Sequence, residues 1–228
     1  RAAFPPSVVE FANNIKFDIP EQEIERRRDM RDEVVFTIDP ADAKDFDDGL
    51  SIQILENGNY YLGVHIADVT HYMPRGSELD KEAVERGTSV YLVDRVIPML
   101  PEHLSNGVCS LRPREDKLAY SCFMEIRPNG KLENYSIEET VIHSNERFVY
   151  DEVQDILDGN REHEFEPELK MLQALANTLM EKRFREGSIA FETPEPKFVL
   201  DENGKPVDVI VKERLFAHKL IAECMLMA

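Results

Sequence analysis

From residue 33 onward, short apolar runs alternate with turn signals, a pattern typical of β-hairpins. The dipeptide Asn-Gly is a strong two-residue turn signal, and it separates two strand-like runs at positions 57–58, 129–130 and 203–204. The paired runs are LSIQIL with YYLGVHIAD, LAYSCFMEIRP with LENYSIEETVIHS, and PKFVL with PVDVIVK. Two shorter runs, TSVYLV and RVIPML, lie between the first two hairpins. The pattern therefore predicts antiparallel pairing of neighbouring strands.

Other segments have helical patterns, and several carry capping or stop residues. The predicted boundaries are Ser77 and Gly87, Asp151 (the cap of a helix to about Asp158) and Gly159, and Pro167 and Gly187. An apolar-rich helix, ERLFAHKLIAECMLMA, reaches the last residue. Together with the hairpins, these helices predict an α+β fold, in which helices pack on a mixed or antiparallel sheet.

The two ends of the chain differ from its middle. Residues 1–30 include Pro5-Pro6 and the charged stretch EQEIERRRDM, and we interpret them as a lead-in or linker that packs on a domain formed by residues 31–228. The final MLMA carries no cap, glycine or proline stop. This unfinished helical pattern predicts that residues 31–228 are the N-terminal portion of a larger domain, truncated at its C-terminus.

Composition restricts the classes of protein that fit. The 228 residues include 27 Lys and Arg against 45 Asp and Glu, for a formal charge of −18, and 42% are hydrophobic, which excludes a wholly disordered acidic chain. This charge argues against holding nucleic acid by bulk electrostatics. No run approaches the roughly 18 apolar residues of a membrane span. The three cysteines form no C-x-x-C pair. We therefore expect a cytoplasmic protein with free thiols and no membrane partner.

The strongest chemical signal is the segment TIDPADAKDFDDGLSI, which holds five aspartates within ten residues: Asp39, Asp42, Asp45, Asp47 and Asp48. Carboxylates packed this closely repel one another unless a cation neutralises them. Hard Mg²⁺ or Mn²⁺ suits such oxygen ligands, and two such ions can clamp the reacting oxygens of a phosphoryl transfer. Phe46 is expected to anchor the segment in the core. A solvated acidic turn and a calcium loop are the alternatives.

The order and spacing of several segments resemble one known family. TIDPADAKDFDDGLSI, VHIADVTHYM, RGTSVYLVDRVIPMLPEHLSNGVCSL and AHKLIAECMLMA are similar to the catalytic RNB domain of the ribonuclease II / ribonuclease R family over roughly residues 33–228. The segment VIPMLPEHLSNGVCSL resembles the bacterial ribonuclease R branch. The resemblance implies a Mg²⁺-dependent, processive 3′→5′ exoribonuclease that releases nucleoside 5′-monophosphates. The implied partners are the 3′ end of single-stranded RNA and the RNA-decay machinery.

The resemblance also implies roles for individual residues. The family's four catalytic, metal-binding aspartates match Asp39, Asp45, Asp47 and Asp48, while Asp42 falls outside the set. Asp39 and Asp48 are expected to be direct metal ligands, and Asp45 and Asp47 to complete the site and position the attacking water. The RNA-stacking tyrosine matches Tyr91, and the opposing aromatic matches Phe191, with Phe198 as second choice. Because stacking accepts any base, these roles suit degradation without sequence preference.

Complete family members carry OB-folds before and after this domain and a downstream arginine segment. None of these is found in the sequence, so the isolated chain is expected to be inactive. The alternative functions are an RNB-fold RNA-binding or scaffolding module without catalysis, and a calcium-binding structural domain.

Three further ionisable residues have less specific interpretations. His65 is expected to be a packed, hydrogen-bonded histidine because VHIADV is strand-like. Asp68 has either a supporting role at the site or a turn or capping role. Glu223 is interpreted as a helix-face carboxylate, with RNA contact as the alternative.

Overall fold

A seven-stranded mixed sheet forms the centre of the protein in a computed structural model, which describes residues 2–189 and 195–228. The strands are β1 (Arg28–Met30), β2 (Phe36–Asp39), β3 (Asp48–Ile54), β4 (Tyr60–Ala67), β5 (Val90–Tyr91), β6 (Val96–Ile97), β7 (Asp116–Ile126), β8 (Leu132–His143), β9 (Glu146–Val149), β10 (Glu195–Leu200) and β11 (Pro206–Lys212). The order across the main sheet is β1-β8-β7-β4-β3-β2-β9, and β5–β6 and β10–β11 form separate two-stranded hairpins.

The three hairpins predicted from Asn-Gly turns are confirmed. Strands β3 and β4, β7 and β8, and β10 and β11 each pair antiparallel. In each turn the glycine has a positive φ, which most other residues adopt only with strain. The angles are 82° at Gly58, 80° at Gly130 and 76° at Gly204. The short runs that follow the first hairpin also pair, as β5 with β6.

The helices are α1 (Pro6–Asn13), α2 (Glu21–Arg26), α3 (Val69–Tyr72), α4 (Glu78–Arg86), α5 (Tyr150–Leu157), α6 (Glu166–Arg185) and α7 (Phe216–Met227), and Leu104–Val108 forms a π-helical turn. Helix α4 has the predicted Ser77 cap, whose hydroxyl accepts a hydrogen bond from the Asp80 amide, and Gly87 follows its last residue. The prediction that Asp151 caps α5 is wrong, because the cap is Val149. The Glu152 carboxylate accepts from the Val149 amide, and Asp151 lies in the first helical turn.

Helices and loops cover both faces of the sheet, so the protein has two buried cores. One core packs β2, β3 and β4 against α5, α6 and α7. The other contains Val8 and Ala12 of α1 together with residues of α4 and the π-helical turn. The predicted α+β class with a mixed sheet and packed helices is confirmed. The domain division at residue 31 stays a prediction, although β1 adds the 28–30 segment to the sheet edge by parallel pairing with β8.

Candidate active site

The predicted aspartates lie at one end of the sheet, around the loop that joins β2 to β3. We call residues 40–47 the aspartate loop. Strand β2 is buried along its whole length and ends at Asp39, and β3 begins at Asp48. Since β2 and β3 pair antiparallel, the end of one strand lies beside the start of the other. The fold therefore brings Asp39 and Asp48 together with the loop that carries Asp45 and Asp47.

Hydrogen bonds hold the second half of the aspartate loop in place. The Ser110 hydroxyl accepts from the Phe46 amide at 3.0 Å and donates to the Lys44 carbonyl at 2.9 Å. The Ala67 amide donates to the Asp47 carbonyl at 2.9 Å. The Phe46 ring packs on the second core, which confirms its predicted anchoring role. The loop is thus tied to the folded protein on both sides of Asp45.

The carboxylates occupy an environment that disfavours their negative charge. Asp39 is only 7% exposed. Burial, with the negative charge of Asp48 nearby, raises the pKa of Asp39 to about 6. Burial and the charges of Asp45 and Asp48 raise the pKa of Asp47 to about 6. The Asp47 side chain reaches solvent, but it does so inside a concave cavity, where its hydration is restricted. Burial also raises the pKa of Asp48.

A divalent cation fits this group in charge and in donor type. All the donors are carboxylate oxygens, which Mg²⁺ and Mn²⁺ prefer. In the described part of the chain, the buried Asp39 Oδ2 has no hydrogen-bond partner and is available as a ligand. Within residues 2–189 and 195–228, however, no three His, Cys, Asp or Glu side chains come close enough to form a metal cage. The residues fit the ion, and their described side-chain positions do not enclose it.

The aspartates open onto a cavity of about 1020 Å³. Its lining includes Asp39, Asp45 and Asp47, and its walls come from the β5–β6 and β10–β11 hairpins. Asp48 is not among the lining residues. Its charge instead contributes to raising the pKa values of Tyr150 and Cys224, which burial raises first, so Asp48 lies toward α5 and α7.

Aromatic side chains stand on both walls of this cavity. Tyr91 is 70% exposed on β5. Partial burial and the charges of Asp45 and Asp47 raise the pKa of Tyr91, which indicates that it lies near the aspartate loop. Phe198, the second choice for the opposing aromatic, lines the cavity from β10 and is 44% exposed. The first choice, Phe191, lies outside the described residues.

Sequence reasoning missed cationic residues around the cavity and one behind it. Lys44, Arg95 and Lys197 line the cavity among its acidic groups and are exposed. Arg147, from the edge strand β9, contacts the start of the aspartate loop. Isolated surface cations carry no motif, and the position of Arg147 depends on a strand pairing between distant segments. No local pattern in the sequence could have identified these roles.

The other ionisable residues singled out in the sequence have structural partners. His65 is fully buried between Ser51 Oγ, 2.9 Å from Nε2, and Ser121 Oγ, 2.7 Å from Nδ1, which confirms the packed-histidine interpretation. Asp68 caps α3 and forms an ion pair with the buried Arg27 at 2.7 Å.

Two carboxylates need separate mention. Glu223 is a buried helix residue paired with Arg183. Asp42 is an 81% exposed side chain near Lys197, in keeping with its place outside the predicted set.

Among the described helices, none combines the length and apolar character needed to cross a membrane.

Known proteins are similar to this chain over nearly its whole length. A family model described as the RNB domain matches residues 27–228. Ribonuclease R 1 of Lactococcus lactis is 46% identical over 230 residues, covering 99% of this chain and 28% of that protein. The structure of Mycoplasma genitalium RNase R in complex with ribose-methylated single-stranded RNA superposes with a TM-score of 0.93 at 31% identity, covering 99% of this chain and 36% of the other. RNase R from the same organism in complex with double-stranded RNA has the same score and identity, with 40% of that chain covered. The chain thus spans well under half the length of these proteins.

Proposed function

The chain belongs to the RNB-domain family, and on that basis we propose that it forms the metal-binding part of a hydrolytic 3′→5′ exoribonuclease. The proposed reaction removes nucleoside 5′-monophosphates processively from the 3′ end of single-stranded RNA. The observation that carries the proposal is the position of Asp39, Asp45 and Asp47 in one cavity with the exposed ring of Tyr91. Carboxylates for metal-assisted hydrolysis and a platform for a base thus face the same space.

We assign different roles to the two pairs of aspartates. Asp39 and Asp48, at the facing strand ends, are proposed as direct metal ligands. Asp45 and Asp47, on the loop, are proposed to complete the site and to orient the attacking water. When bound, Mg²⁺ or Mn²⁺ would supply Lewis-acid activation of the phosphodiester. The raised pKa values of Asp39 and Asp47 support this assignment, because a cation would favour the ionised forms that burial disfavours.

The cavity walls suggest how an RNA strand is held. Tyr91 on one wall, and Phe191 or Phe198 on the other, are proposed to stack on the 3′-terminal bases. Base stacking on an aromatic ring contributes about 1–3 kcal/mol per base and tolerates any sequence. The exposed cations Lys44, Arg95 and Lys197 are proposed to contact backbone phosphates at the edge of the cavity. They would offset the local excess of carboxylates in a chain of net charge −18.

The proposal is tested by substituting one loop aspartate in the natural protein that contains this chain. Asp47→Asn preserves side-chain size and removes one negative charge from the site. The assay follows a 3′-labelled single-stranded RNA in Mg²⁺, with thin-layer chromatography of the released mononucleotides. The expected result is loss of nucleotide release with RNA binding retained. Asp32→Asn, the same change at an exposed aspartate that does not line the cavity, is the control and should leave the rate unchanged. Near-normal release by Asp47→Asn would refute the assignment.

A non-catalytic RNA-binding or scaffolding module is the second candidate. The observation in its favour is that the described side chains do not enclose a metal site. This candidate predicts that the unsubstituted natural protein retains RNA in a filter-binding assay without cleaving it at any Mg²⁺ concentration. A preference for Ca²⁺ over Mg²⁺ in calorimetry, with no effect of RNA, would instead indicate a calcium-binding domain. The cytoplasmic location stays a prediction.

A further inference from the structure

The edge strand β9 supplies a residue that the proposed function leaves unused. Resting on that function, we propose that Arg147 is a positioning residue, which fixes the first half of the aspartate loop and so sets the positions of the metal-binding carboxylates. It would act through the loop backbone and would not contact RNA.

The contacts of Arg147 are made with the residues that directly follow Asp39. Its Nη2 donates to the carbonyl oxygen of Pro40 at 2.6 Å and to that of Ala41 at 3.2 Å. A guanidinium has five N–H donors in a rigid planar fork, so one side chain can hold two successive carbonyls. Arg147 therefore fixes the direction in which the chain leaves β2.

The backbone of Arg147 is held by the same sheet that presents the aspartates. Strand β9 pairs parallel with β2, with Arg147 opposite Thr37. The guanidinium also lies over the Phe46 ring, 5.2 Å from its centroid. One side chain thus contacts both the start and the end of the aspartate loop. Ser110 holds the second half through Lys44 and Phe46, so the two tethers act on different parts of the loop.

The charge of Arg147 acts on two carboxyls, Asp39 at the site and Glu152 in the first turn of α5. Among the described residues, its guanidinium forms no ion pair within 4 Å, and the hydrogen bonds of the guanidinium go to two neutral carbonyls. Its positive charge acts on Asp39, opposing the effect of the neighbouring acids. Its Nε is buried without a partner in the described part of the chain, as is Asp39 Oδ2. An ordinary surface arginine pairs with an acid, whereas the Arg147 guanidinium bonds to two backbone carbonyls of the aspartate loop.

Two measurements on the natural protein that contains this chain test the proposal. Arg147→Met keeps much of the side-chain volume and removes the donors and the charge, whereas Arg147→Lys restores the charge and a single donor group. Hydrogen exchange by mass spectrometry reports on the amides of residues 41–47, since Pro40 has no N–H. Electron paramagnetic resonance of added Mn²⁺ reports metal affinity. Arg161→Met is the matched control, since Arg161 is a half-exposed arginine paired with Glu152 at 2.7 Å, outside the loop.

The expected result is faster exchange confined to residues 41–47 in Arg147→Met and a loss of Mn²⁺ affinity of about 10–100-fold, the range seen when partners of metal ligands are removed. Arg147→Lys should recover part of both effects, and Arg161→Met should show neither. Thermal unfolding confirms that each variant is folded. If Arg147→Met fails to fold, loop exchange and Mn²⁺ affinity are compared between Arg147→Lys and the unsubstituted chain instead.

Unchanged loop exchange in a folded Arg147→Met variant would overturn the proposal, as would unchanged Mn²⁺ affinity where the unsubstituted chain binds the ion. Failure of the proposed function gives a different outcome. The unsubstituted chain would then bind no Mn²⁺, while faster exchange in Arg147→Met would still support the control of the loop by Arg147.

Discussion

Replacement of Asp39 by asparagine is expected to stabilise the metal-free protein while abolishing its affinity for divalent ions. The pKa of this carboxyl is raised from an ordinary 3.8 to about 6, mainly by burial. Each pKa unit corresponds to about 1.4 kcal/mol, so the ionised carboxylate costs the folded state up to about 3 kcal/mol at neutral pH. An amide of the same shape avoids that cost but leaves one buried polar atom without a partner. Such a group costs about 1–3 kcal/mol, so we expect a net gain of at most about 2 kcal/mol at neutral pH.

The sign of the effect depends on pH in a way that identifies its cause. The folded state binds the Asp39 proton more tightly than the unfolded state does. The cost of the carboxylate is therefore absent below about pH 4, grows as the pH rises from 3.8 to about 6, and is complete above that value. Asp39→Asn should be no more stable than the unsubstituted chain near pH 4, where only the cost of the unpartnered amide atom remains, and should gain stability relative to it as the pH rises to 8. For a chain of this size, each kcal/mol corresponds to about 2–4 °C in Tm.

The assay is urea denaturation with a chelator present at pH 4 and pH 8, followed by Mn²⁺ titration of each variant. Asp42→Asn, at an 81% exposed side chain of the same loop, should change neither stability nor Mn²⁺ affinity. If Asp39→Asn is destabilised equally at both pH values, the folded protein does not disfavour the ionised form of the Asp39 carboxyl. The electrostatic description of the site would then be wrong.

Three further predictions test other parts of the site and the core. Tyr91→Ala should weaken binding of a fluorescent single-stranded RNA by about 1–3 kcal/mol in an anisotropy assay, with an unchanged Tm. Tyr91→Phe, which keeps the ring, should bind nearly as well as the unsubstituted protein. Equal binding by the unsubstituted protein and both variants would exclude stacking. Arg95→Gln and Lys197→Gln should each lower the slope of log affinity against log salt concentration by about 0.7, and an unchanged slope would mean that neither cation contacts a phosphate. Burial lowers the pKa of His65 from 6.5 to about 3, so its neutral form is favoured in the folded state. That contribution is complete above pH 6.5 and is lost as the pH falls, by about 1.4 kcal/mol per unit. Between pH 7 and pH 5, His65→Gln should lose less stability in urea than the unsubstituted chain; identical losses in the two would refute the assignment.

The parts of this fold that follow from short segments were predictable. Turn glycines such as Gly58, and the cap and stop of α4, act on residues within a few positions and leave a visible signature. The aspartates were also recognisable, because their density in ten residues has few explanations. The Asp151 cap failed because the choice between Val149 and Asp151 depends on which residue leaves the strand, and β9 runs directly into α5.

Features that join distant segments could not be predicted from local patterns. Strands β1 and β9 are the two edge strands of the sheet, and they join it by parallel pairing with β8 and β2. The two strands of each pair are far apart in the sequence. The role of Ser110 was missed for the same reason, since it sits 66 positions from Lys44. The cavity walls come from two hairpins far apart in the chain, so no spacing rule indicated that Tyr91 and Phe198 face the same space.

The pairing of β2 with β9 also has a consequence for synthesis of the protein. Strand β2 emerges from the ribosome early, but its edge remains open until β9 has been made, and Arg147 lies 107 positions after Pro40. Contacts of such long sequence separation form late, because their loop-closure entropy must be offset first. A nascent chain that has displayed all its aspartates therefore still lacks the strand that orders them. We therefore expect the aspartate loop to become ordered only after β9 has been synthesised.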